Sequence, residues 1–106
     1  DELKQQVKMM VNVDYNESKF NFLIDLVLDY RKLEVSKKPS QNQVADLIQE
    51  LYFIGTQPIS RKTAYMMKYR ALLWKMSQDE SDRKLFVNML VRRFNKNTIQ
   101  YIGSML

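Results

Sequence analysis

Only four residues punctuate this chain of 106: Pro39, Gly55, Pro58 and Gly103. An all-β domain of this length needs many tight turns, and tight turns draw on glycine and proline. A chain so poor in both is restricted to longer uninterrupted elements. Between the breaks, the apolar residues recur at helical spacing. The expected fold is therefore all-α, a compact bundle of five to six short helices forming a single domain over residues 1–106.

The helices are expected at 2–12, 18–35, 41–53, 60–77, 80–95 and 98–105. The first places Leu3, Val7 and Met10 on one side, and Asp14, Asn16 and Ser18 behind it are all suited to capping the next. The second has a clear apolar line through Phe20, Leu23, Val27 and Tyr30, with Asp25, Asp29 and Lys32 opposite. Pro39 disfavours helix at Lys38, and Ser40 with Gln43 three residues later has the form of a capping box. The helix so opened points Val44, Leu47, Ile48 and Leu51 inward, and Gly55 is placed for a left-handed C-terminal cap. After the loop at Pro58, Ser60 is a good N-cap. The acidic run at Asp79, Glu80 and Asp82 suits a helix N-terminus. The helix behind it offers Leu85, Phe86, Met89, Leu90 and Phe94 as its buried line, and Asn95, Lys96 and Asn97 break it.

Residues 59–77, ISRKTAYMMKYRALLWKMS, hold the only Trp, three of the seven Met and five of the seventeen Lys and Arg residues. A helix apolar around most of its girth is usually the central one of a bundle. The core is expected to centre on Leu23, Val27, Leu47, Leu51, Ala64, Met67, Ala71, Trp74, Phe86 and Leu90.

With no Cys and no His, the chain lacks disulfides, the usual zinc ligands, thiol nucleophiles and the commonest general base. Its two isolated glycines cannot build a phosphate-cradling or nucleophile-elbow loop. Asp25 and Asp29 stand one turn apart, but without a histidine beside them they read as an exposed helix face. No enzyme activity, cofactor or metal is expected. No apolar run approaches the ~20 residues that a membrane-spanning helix needs, so an intracellular protein is expected. A chain opening at Asp1 rather than Met reads as a domain excised from a longer protein.

Charge is distributed unevenly. Residues 1–53 carry seven Lys and Arg against nine Asp and Glu, whereas residues 54–106 carry ten against three; the halves are −2 and +7 within a net +5. A basic half implies a surface that meets a polyanion. Arg61, Lys68 and Lys75 are spaced by seven, which places them within about 40° of one another on a helix. Lys84, Asn88 and Arg92 step by four on the next helix, with Arg93 and Lys96 close by. Cations interleaved with amides suit phosphate contacts, since charge releases counterions and amides fix register. The expected function is a non-catalytic nucleic-acid-binding domain, for DNA or RNA. Its contacts would come from Arg61, Lys62, Lys68, Arg70, Lys75, Lys84, Arg92, Arg93 and Lys96. The bland alternative is a solvated face, because Lys and Arg are good helix formers.

Ser40 to Met76 also has the loose outline of a helix-turn-helix unit. Ser60, Arg61, Lys62 and Thr63 open its second helix with residue types that reach phosphates and base edges. The connection LYFIGTQPI is longer than that motif's tight turn. Tyr52, Phe53, Tyr65, Tyr69, Trp74 and Tyr101 suit base stacking, and the methionines suit a groove for a partner helix; core packing is the competing use of both. The alternative function is a helical protein-interaction module in a larger assembly, whose basic half meets an acidic partner. Oligomerisation is compatible with either reading.

Overall fold

A computed structural model describes residues 2–106. It contains six helices: α1 (Glu2–Met10), α2 (Glu17–Arg31), α3 (Gln41–Gly55), α4 (Arg61–Met76), α5 (Glu80–Phe94) and α6 (Thr98–Met105). No strand occurs among the described residues, and the fold is the expected all-α bundle. Its radius of gyration, 13.0 Å, is that of a close-packed chain of this length. No helix among the described residues is long and apolar enough to cross a membrane.

Helix starts follow local chemistry closely. Asn16 caps α2 by accepting from the backbone N–H groups of Ser18 and Lys19. Ser40 and Gln43 form the reciprocal capping box at α3. Ser60 caps α4 and Asp79 caps α5. Each satisfies N–H groups that have no partner within the helix.

Helix ends depart from expectation. Gly55 does not cap α3 in a left-handed conformation, since no glycine has positive φ. The helix continues through it, and Thr56 closes the last turn through its N–H bonds to Tyr52 and Phe53 carbonyls. The connection to α4 is therefore only residues 56–60. α2 stops at Arg31, short of Val35, with Lys32 as its C-cap. At the end of α5, Asn95 takes φ 70°, a conformation Asn tolerates better than most side chains. That turn redirects the chain into α6.

α2 and α3 supply most of the core, with six buried residues each. Leu23, Val27, Leu47, Leu51, Phe86 and Leu90 are fully buried as expected. The rings of Tyr30 and Phe86 meet at 4.7 Å in the interior. α4 packs against α3 and α6, and more lightly against α5, yet it buries only Ala71, Leu72 and Met76. Two expected core residues are on the surface instead: Met67 is 42% exposed and Trp74 57%. Ala64 is half-buried, and Leu85, expected in the buried line of α5, is exposed. The helices packed against α4 do not cover all of its apolar residues. With α3 and α6 taking two sides of α4, the remaining apolar residues face outward.

Tyr30 combines complete burial with a hydroxyl that has no hydrogen-bond partner among the described residues. Burial first, then the charge of Asp82, pushes its pKa up to about 12. A buried hydroxyl left without a partner costs about 1–3 kcal/mol. Tyr30→Phe keeps the ring and removes the orphan, so it should stabilise the fold by about 1 kcal/mol, raising Tm by about 4–8 °C. A thermal melt by circular dichroism tests this, and an unchanged or lower Tm would count against it.

Candidate interaction surfaces

Of the predicted stripe, Lys68 and Lys75 lie towards the packed side of α4, while Arg61 at its start is exposed. Positions 61, 64, 68, 71 and 75 alternate by three and four, which is the spacing of a helix–helix seam. Ala71 on that seam is buried beside Ile54 of α3, and Ala64 is half-buried. Lys68 and Lys75 are half-buried there, as long cationic side chains with apolar stems tolerate. The Lys68 ammonium stands 4.0 Å from where a β-carbon on Gly55 would be. Desolvation, and secondarily the charge of Lys19, lowers its pKa. A spacing of seven is as much a packing signature as a charge signature, and in α4 packing claims it.

The remaining predicted cations divide among separate places. Arg93 is ion-paired with Asp29. Lys84 and Arg92 are exposed on the outer side of α5, where Arg92 Nε donates to the Asn88 carbonyl at 3.4 Å. Arg61 is exposed at the start of α4. Arg70 and Lys75 stand on one flank of α4, and Lys62 and Lys96 line a groove on the other. The nine residues do not share one surface. The helix-turn-helix outline fares similarly: the Ser60 hydroxyl bonds to the Thr63 hydroxyl at 2.8 Å, which ties two of its four proposed base-reading residues into the cap.

The structure brings together two grooves, one along each flank of α4. The α3–α4 groove, of about 400 Å³, has Ile54 and Ala71 in its floor and Phe53, Met67 and Trp74 along its walls. Phe53 is 61% exposed. Arg70 and Lys75 stand at its rim, with Glu50 the one acidic residue there. Trp74 is held from behind by the guanidinium of Arg83, 4.1 Å from its ring centre. Arg83 is itself fixed by donating to the carbonyls of Ser77 and Gln78, each at 3.1 Å. The indole is thus exposed and oriented at once. Neither Arg70 nor Lys75 has an ion-pair partner among the described residues.

The second groove, of about 470 Å³, lies between α4 and the α5–α6 junction. Lys62, Tyr65, Met66 and Tyr69 form its α4 wall, a continuous run at spacings of three and four. Val91 and Ile99 add apolar surface opposite, and Lys96, Asn97 and Gln100 supply its polar edge. The Asn95 turn is what carries Lys96 and Asn97 to this position.

Neither groove holds a set of three or more acidic side chains placed to bind a metal, nor does any other site among the described residues. Both present apolar and aromatic surface bordered by cations. The expected core wrongly included Met67 and Trp74, although one signal for their exposure was present. A helix apolar around most of its girth has more apolar surface than two neighbouring helices can cover. Comparison with protein-family models, curated proteins and solved structures finds no match.

Proposed function

We propose that this domain is a non-catalytic helical protein-interaction module whose partner presents an acidic, apolar-faced helix to the α3–α4 groove. The observation that carries this reading is the exposed trio Phe53, Met67 and Trp74 lining one groove. Aromatic residues of this kind dominate binding energy at protein interfaces. Partner helices anchor in such grooves with apolar residues at i, i+3, i+4 and i+7. Arg70 and Lys75, unpaired at the rim, select for acidic flanks and against basic ones. The scattering of the other cations favours this reading over phosphate binding by the whole basic half.

Trp74 is the only tryptophan in the chain, so its fluorescence reports on the groove directly. Titration with a synthetic helical peptide bearing Leu and Phe at helical spacing and Glu on the flanks should shift Trp74 emission to shorter wavelength and saturate. Arg70→Glu with Lys75→Glu should weaken this binding by about tenfold or more, and a peptide with Lys in place of Glu should not bind. The reading fails if the acidic peptide leaves the emission unchanged. It also fails if Lys62→Glu with Lys96→Glu, on the opposite flank, weakens binding equally.

A further inference from the structure

We propose that the second groove, between α4 and the α5–α6 junction, binds single-stranded nucleic acid through stacking on Tyr65 and Tyr69 and phosphate contacts from Lys62 and Lys96. This site is separate from the one assigned above and rests on different residues.

Its chemistry is that of a nucleotide. Tyr65 and Tyr69 are one turn apart on α4 and both line the groove, forming an aromatic wall. Base stacking on such a platform contributes about 1–3 kcal/mol per base and tolerates any sequence. Burial raises the pKa of the Tyr69 hydroxyl, which reflects its partly desolvated place in the groove wall. Lys62 and Lys96 border the groove from opposite walls, both exposed. Neither is ion-paired among the described residues. No carboxylate lines the groove, so nothing in its walls repels an anion. The side-chain amides of Asn97 and Gln100 are exposed at its edge, each able to donate to and accept from a base edge.

Size and shape select the single strand. About 470 Å³ is within the range of small-ligand pockets and accommodates roughly one or two nucleotides. A duplex keeps its bases stacked on one another and shows only groove edges and backbone, which cannot enter a recessed aromatic site. Lys84 and Arg92, on the outer side of α5, add positive potential that steers a strand to the site without contacting the bound nucleotides.

The test is fluorescence anisotropy of the whole domain with labelled oligo-uridine and oligo-thymidine of about twelve nucleotides, and with a duplex of equal length, at about 50 and 200 mM salt. The single strands should bind more tightly than the duplex at the lower salt. Lys62→Gln with Lys96→Gln should weaken strand binding about tenfold at the lower salt, leave the thermal melt unchanged, and reduce the log–log salt slope by about 1.4, the value for two phosphate contacts on a single strand. Arg70→Gln with Lys75→Gln, on the other flank of α4, should change affinity less than about threefold. Polyglutamate of matched charge should not displace the strand. The proposal is overturned if no strand binds at the lower salt, if duplex binds as well, or if the Lys62 and Lys96 changes leave the slope unaltered. Displacement by polyglutamate would overturn it too, since the groove would then be reading charge alone.

Discussion

Replacing Gly103 with alanine should lower the stability of this domain by about 2 kcal/mol, and replacing it with valine should lower it further. Gly103 is buried in α6 where that helix crosses α4. A β-carbon placed on it would stand 2.5 Å from Cβ, 2.7 Å from Cα and 2.9 Å from Cγ of Tyr65. Two of those three atoms cannot swing aside, because Cα is backbone and Cβ is fixed to it. One helix must therefore retreat. Overpacking of this kind costs about 3 kcal/mol, while alanine recovers up to about 1 kcal/mol as a better helix former than glycine. The net loss lowers Tm by about 10 °C.

Gly55 provides the control. The nearest atom to a β-carbon there is the mobile end of Lys68, at 4.0 Å, so Gly55→Ala should be neutral or stabilise by up to about 1 kcal/mol. Trimming Tyr65 to alanine should not rescue Gly103→Ala, since the Cα and Cβ clashes remain. Equal melting temperatures for Gly103→Ala and Gly55→Ala would contradict the close crossing of α4 and α6.

Asp82→Ala should lower Tm by about 10 °C, because the carboxylate holds a loop 46 residues away in sequence. Asp82 is 2% exposed. It accepts from the backbone N–H of Ser36 at 2.8 Å and of Lys37 at 3.0 Å. These bonds join the start of α5 to the segment between α2 and α3. Removing the carboxylate leaves two donors without a partner where the chain leaves α2. Asp82→Asn keeps one acceptor but turns an NH₂ group towards a donor, so it should fall between the other two.

The pH dependence of that clamp has a definite sign. The Ser36 N–H first, and the Lys37 N–H after it, hold the Asp82 pKa below its ordinary value, with desolvation opposing them. A depressed carboxylate pKa stabilises the fold fully above the unfolded value, about 3.9, and that stabilisation is lost as pH falls towards the folded one. The Tm difference between the wild-type protein and Asp82→Asn should thus be constant above about pH 5 and shrink below about pH 4. Glu17, whose pKa is lowered chiefly by Lys8, has the same sign in both proteins and drops out of the difference. A difference that grew with acid would refute the clamp.

Much of the fold was legible because it is written in short-range chemistry. Asn16, Ser40 with Gln43, Ser60 and Asp79 each bond within three residues of themselves. A reader of the sequence therefore has both partners in view. The buried lines of α2 and α3 were equally plain, since their apolar residues are confined to one side. Asp82 was not legible: its spacing suits a helix N-terminus, and its partners at Ser36 and Lys37 come from another part of the chain. Gly103 was also silent, because nothing near it in sequence names Tyr65 as the residue it must admit.

The candidate sites divide along the same line. By itself the sequence determined the class of fold, the start of each long helix, and an excess of positive charge after residue 53. It could not determine which side of α4 faces inward, because that helix is apolar around most of its girth and its own periodicity leaves the choice open. Tertiary structure decided it, through the packing of α4 on α3 and its close crossing with α6 at Gly103. Those contacts drew Lys68 inward, left Phe53, Met67 and Trp74 in the open, and divided the cations between two flanks. Helix periodicity fixes which residues share a side; only the neighbours fix which side is covered.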